Sequence, residues 1–115
     1  MSSKIMETFD NERARLNEIV MRYAGQEIKR FYSLDHQAYR DGALPGKIKE
    51  LMGFVASLAL RCDDCIKYHV GECHRSGVSD AEFEEAAAIG LVVGSSIAIP
   101  HLRRAYEAWD ELKRQ

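Results

Sequence analysis

Apolar residues recur at helical spacing along most of this chain, and glycines or capping residues mark where each run ends. From Asn11 to Tyr23, Leu16, Ile19, Val20 and Tyr23 stand three and four apart among charges, which predicts one helix. A second stretch carries Ile28, Phe31, Tyr32 and Leu34. Asp41, Gly42, Leu44, Pro45 and Gly46 form the clearest break, after which Ile48, Leu51, Met52, Val55, Leu58 and Ala59 predict a third helix over Lys47 to Leu60. Polar residues at Arg61 to Asp64 interrupt the run. The two aspartates suit a helix start, because carboxylates favour its positive end, and a fourth helix is expected from there to Arg75.

Gly77 supplies a stop, and Ser79 followed by Glu82 reads as a capping box for a fifth helix. That helix is rich in small residues (Ala86, Ala87, Ala88, Gly90, Gly94), which permit close approach but supply little bulk. Ser95 and Ser96 are the expected caps of a sixth helix, with Pro100 in its first turns and Leu102, Ala105, Tyr106, Trp109 and Leu112 on one face. The expected fold is therefore all-α, a bundle of about six helices, with residues 1–115 as a single domain; 115 residues with 46% apolar content suffice for one core but not two.

Sixteen basic and eighteen acidic side chains leave a formal charge of -2, which gives no general attraction to nucleic acid or anionic membrane. Met1 to Asp10 has no long apolar run behind a positive start, and about 18 apolar residues in a row occur nowhere. A soluble, cytoplasmic protein is the expectation. The Ala/Gly-rich fifth helix further suggests core shared between subunits, hence a homo-oligomer, trimer or hexamer.

All three cysteines lie between Cys62 and Cys73, an odd number in a tight cluster, unlike the dispersed even set that staples a secreted domain. Cys62, Cys65, His69 and Cys73 form a stripe on one side of a continuous helix. A lone buried Cys is usually a small hydrophobe, and that is the reading for Cys73. Zinc is disfavoured: Cys62 and Cys73 stand roughly 16 Å apart along a helix, and Ile66, Lys67, Tyr68 and Val70 invite no turn that would bring four ligands together. No cofactor is called for.

Cys62 and Cys65 at a helix start are better placed for redox chemistry. A first cysteine at or before the N-cap lets the backbone bring both sulfurs together, and the helix N-terminus stabilises a thiolate. Asp63 and Asp64 act in the opposite direction, and the balance is open. His69, one turn beyond Cys65, is placed to accept the thiol proton, which makes Cys65 the slightly favoured first nucleophile. If the third and fourth helices fold back about Arg61, Glu50 comes level with a position near residue 72, within reach of His69; otherwise Glu50 is a surface glutamate beside Lys47 and Lys49.

Glu50 followed by Leu58-Ala59-Leu60-Arg61-Cys62-Asp63-Asp64-Cys65-Ile66-Lys67-Tyr68-His69 resembles the core motif of the alkyl hydroperoxidase D-like branch of the carboxymuconolactone decarboxylase superfamily. Gly77-Val78-Ser79 and the stretch Ala87 to Ala105 look like its later helices. The resemblance implies an all-α trimer or hexamer that reduces peroxides, or relays electrons from a dithiol donor, through Cys62 and Cys65, with Glu50 and His69 as a proton relay. Alkyl hydroperoxidase D enzymes typically carry a histidine where this chain has Asp64, and are longer. Two other readings are a non-catalytic redox-sensing oligomer and a lactone decarboxylase; members of the decarboxylase branch do not need both cysteines.

Overall fold

The capping box forms where the sequence places it: Ser79 Oγ accepts the Glu82 N–H at 3.1 Å, and Glu82 Oε1 accepts the Ser79 N–H at 2.8 Å. In this computed structural model, which describes residues 4–115, it opens α5 (Asp80–Gly94). The other helices are α1 (Lys4–Tyr23), α2 (Gln26–Ala38), α3 (Gly46–Ala59), α4 (Asp63–Arg75) and α6 (Ile99–Lys113), with a 3-10 turn at Ser96–Ala98. The described residues contain no strand, and the expected all-α domain of six helices is the fold. Met1, Ser2 and Ser3, part of the stretch read for a targeting signal, lie outside the described residues.

Two boundaries differ from the periodicity. α1 begins at Lys4 rather than Asn11, because Met6 is buried and Ile5 and Phe9 pack on the core. The Ile5 N–H donates to Glu111 Oε1 at 3.0 Å, tying that first turn to α6. Ser95 and Ser96 do not cap α6. Ser95 ends α5 with a left-handed φ of 64°, the 3-10 turn intervenes, and α6 starts after Ala98 with Pro100 in its first turn.

The core is an aromatic stack across three helices. Phe54 of α3 lies 4.6 Å from Phe83 of α5, and Phe83 lies 4.2 Å from Trp109 of α6 with the rings nearly parallel. The Trp109 indole N–H donates to Asp80 Oδ1 at 2.8 Å, so its polar edge is satisfied at the rim. α5 approaches α3 closely because Gly90 sits under Leu58, where a Cβ would meet Leu58 Cδ2 at 2.7 Å. The small residues of α5 thus serve packing within the chain. Its outward face is bulkier: Ile89, Val92 and Val93 are exposed.

α2 buries no residue, and its Phe31 and Leu34 are about two-thirds exposed, at 67% and 64%. Leu16 and Tyr23 of α1 are also exposed. Among the described residues no helix is long and apolar enough to cross a membrane.

Candidate functional site

The site begins with the way α3 ends. Arg61 adopts a left-handed φ of 59°, its N–H donates to the Leu58 carbonyl, and the next N–H, that of Cys62, reaches back to the Ser57 carbonyl; both bonds are 3.1 Å. This paired termination turns the chain sharply. Cys62 is consequently both the residue that closes α3 and the N-cap of α4, and its Sγ accepts the Cys65 N–H at 3.3 Å. Extended backbone at Cys62 brings the two Cα atoms to 5.3 Å, within the range a disulfide spans, and Cys62 and Cys65 are bonded. Both sulfurs lie at the positive end of α4, which favours an anionic sulfur over a thiol.

The same turn folds α4 back along α3 and brings Glu50 to His69. Glu50 Oε1 lies 2.8 Å from His69 Nδ1, and both side chains are buried. The neighbouring lysines are engaged elsewhere: Lys47 pairs with Glu82 at 2.9 Å, and Lys49 Nζ donates to the Ala38 and Arg40 carbonyls. A carboxylate only accepts, so the contact calls for a proton on Nδ1, which in a neutral imidazole makes Nε2 the acceptor.

Two residues of this site escaped the sequence reading. The Tyr39 hydroxyl, 3.4 Å from His69 Nε2, donates to that acceptor. Burial, then the charges of Glu50 and Asp35, push the Tyr39 phenol above its ordinary value, so it stays protonated. Gly53, on the face of α3 turned to α4, leaves the space the imidazole occupies. A glycine interior to a helix was the one sequence signal of Gly53, and Tyr39 had none.

Cys65 is exposed and Cys62 partly so. Cys65 and His69 line one open cavity of ≈790 Å³, walled by Ile5, Phe9 and Leu16 of α1 and by Tyr68, over whose ring the Arg13 guanidinium lies at 4.3 Å. Among the described residues no hydrogen bond joins His69 to either sulfur. Cys73 is different. It is fully buried, and burial first, then the charges of Glu50 and Glu72, push its thiol up to about 12. Cys73 therefore stays a neutral thiol at physiological pH.

Residues 27–110 match the profile of the Carboxymuconolactone decarboxylase family. This chain belongs to the carboxymuconolactone decarboxylase family. Curated relatives include an uncharacterized protein of Cupriavidus necator and an uncharacterized protein in the cox locus of Paracoccus denitrificans. Each is 27% identical over 82 residues, which is 71% of this chain and 73% and 74% of theirs.

Among solved structures, a Thermotoga maritima protein is 52% identical with a TM-score of 0.92, covering 94% of this chain and 95% of its own. A second crystal structure of that protein (53%, TM-score 0.89, 93% and 91% covered) is described as a carboxymuconolactone decarboxylase family protein with a suspected part in an antioxidative response. An apo family member from Legionella pneumophila, 23% identical, shares the fold with a TM-score of 0.86 over 96% of this chain and 98% of its own.

Proposed function

We propose that this family member is a thiol-dependent hydroperoxide reductase of the alkyl hydroperoxidase D-like branch, in which Cys62 and Cys65 cycle between dithiol and disulfide. One observation carries the reading: Cys65 shares its cavity with His69, whose Nδ1 is held by a buried carboxylate and whose Nε2 meets only the long contact to the Tyr39 hydroxyl.

In the reduced protein, the Cys65 thiol gives its proton across the cavity to His69 Nε2, from which the long hydrogen bond of the Tyr39 hydroxyl is displaced. The thiolate attacks the terminal oxygen of the hydroperoxide, the O–O bond breaks, and the departing alkoxide takes the proton back from His69 as an alcohol. Cys65 is then a sulfenic acid. Cys62 attacks its sulfur, its thiol proton leaves with the hydroxide as water, and the disulfide remains. A dithiol donor restores the pair by two exchange steps. Such a cycle suits a reducing compartment, here the cytoplasm. The suspected antioxidative role of the Thermotoga maritima protein supports the same chemistry.

The working form is a homo-oligomer, trimer or hexamer, a reading supported by the exposed apolar side chains of α2 and α5. Light scattering at micromolar concentration is expected to return a multiple of 13.1 kDa; a 13.1 kDa particle contradicts the oligomer. The chemistry is tested by mass spectrometry of reduced protein after one equivalent of an organic hydroperoxide. A Cys62–Cys65 crosslink with Cys73 free is expected. A stable linkage through Cys73, or zinc held tightly by freshly purified protein, contradicts the proposal.

A further inference from the structure

We propose that Asp63, His101 and Arg104 form a charge brace that sets how readily Cys62 ionises and, through it, the balance between dithiol and disulfide. The inference deepens the thiol cycle above and rests on it, but its first half, the ionisation of Cys62, stands on the geometry of the turn alone.

Asp63 follows Cys62 directly and opens α4. A free carboxylate beside Cys62 would disfavour its thiolate and work against the helix terminus that stabilises it. The carboxylate is not free. His101 Nδ1 donates to Asp63 Oδ1 at 2.8 Å and Arg104 Nε donates to Oδ2 at 3.1 Å, so both oxygens are occupied by groups of α6. Arg104 is always charged and holds the carboxylate from a fixed planar fork. His101 is half-buried, at 19% side-chain exposure, whereas Asp63 and Arg104 are more open, at 38% and 47%, so solvent screens part of the brace. Burial raises the Asp63 carboxyl, but the hydrogen bonds of His101 and Arg104 outweigh it and hold the group below its ordinary value. The other charges of the turn, Arg61 and Asp64, are exposed to solvent.

Two positioning residues of α6, His101 and Arg104, therefore offset a charge that the C-x-x-C sequence itself introduces. The arrangement makes a sign-specific prediction. Without Asp63, the Arg104 guanidinium leaves positive charge near Cys62 and favours its thiolate. Without Arg104, the carboxylate is partly uncompensated and disfavours it. Removing both restores near neutrality.

The test follows the pH profile of Cys62 alkylation in a Cys65→Ser background, where buried Cys73 does not compete, alongside the equilibrium of the intact pair with glutathione. Asp63→Asn should speed Cys62 alkylation at pH 7 roughly twofold to fivefold, and Arg104→Gln should slow it by a similar factor, the range expected of a partly exposed ion pair. Asp63→Asn with Arg104→Gln should lie within about twofold of the parent, and Arg104→Lys should recover most of the loss. In the intact pair, Asp63→Asn should move the glutathione equilibrium toward dithiol and Arg104→Gln toward disulfide, because a stabilised thiolate favours the reduced form. High salt should shrink every difference.

Single substitutions that all shift alkylation in one direction, or that change only the melting temperature, would make the cluster a mechanical tie between α4 and α6 and overturn the proposal. The expected alkylation pattern in a pair that does not exchange with glutathione would uphold the charge effect on Cys62 and count instead against the redox cycle.

Discussion

Gly53 of α3 lies against the His69 imidazole so closely that a Cβ at this glycine would stand 2.5 Å from Cε1 and 2.7 Å from Nε2. Inside a helix, glycine costs about 1 kcal/mol relative to alanine. The position nonetheless requires it, because hydrogen bonds to Glu50 and Tyr39 hold the ring where that Cβ would stand. Gly53→Ala should therefore expel the imidazole and slow Cys65 alkylation at pH 7 nearly as much as His69→Ala, although the histidine is retained. Alkylation at the parent rate in folded Gly53→Ala protein would show that the ring position is unimportant to the thiol.

The relay itself predicts a pH-dependent loss. A thiol near its ordinary pKa of about 8.5 is mostly protonated at neutral pH, so fast attack needs a base. His69→Ala and Glu50→Gln should each slow Cys65 thiolate formation at pH 7 by a factor on the order of 10 to 1,000, and raising the pH should rescue both. Circular dichroism must accompany the rates, since removing one member of a buried hydrogen-bonded pair strands the other. An unchanged rate and pH profile in folded protein would assign that residue to structure alone.

Tyr39 should matter less. Its hydroxyl makes a long, neutral hydrogen bond to Nε2, and such a bond is worth about 0.5–1.5 kcal/mol, so Tyr39→Phe should change the Cys65 rate by roughly 2- to 12-fold. A loss as deep as that of His69→Ala would mean that the phenol itself carries the proton.

Much of the fold and part of the site were legible because local rules and tertiary structure agree. Ser79 and Glu82 cap a helix in isolation as they do here, and the Glu50 register needed only a hinge at Arg61 and a fixed rise per residue. The start of α1 was hidden because Met6 and Phe9 are apolar positions whose meaning depends on helices distant in sequence, α4 among them. Tyr39 and the Asp63–His101–Arg104 contact were hidden for the same reason: a loop tyrosine and a histidine on α6 carry no local mark of the side chains they meet. The glycines of α5 were legible as a close approach, but α3 of the same chain, not visible in the sequence, makes that approach.

Cys73 gives a prediction in the alkaline range. Its thiol, about 9.0 when unfolded, is raised to about 12 in the fold, so the unfolded chain releases a proton that the native one keeps. The stabilisation is fully present below about pH 9 and falls by up to about 1.4 kcal/mol per pH unit above it, toward pH 12. Denaturant melts of Cys73→Ala should lack this part of the alkaline decline, and iodoacetamide at pH 8 should leave Cys73 of native protein unmodified. Rapid native labelling of Cys73 would contradict its exclusion from the cycle.

The central claim is that Cys62 and Cys65 turn over hydroperoxide with electrons from a dithiol. The direct measurement is peroxide consumption with interchangeable donors (dihydrolipoamide, thioredoxin, dithiothreitol), run beside Cys62→Ser. The account predicts catalytic consumption by the parent with at least one donor, many equivalents per subunit, and loss of turnover in Cys62→Ser. Consumption that stops at one equivalent with every donor, or turnover that survives Cys62→Ser unchanged, would contradict it.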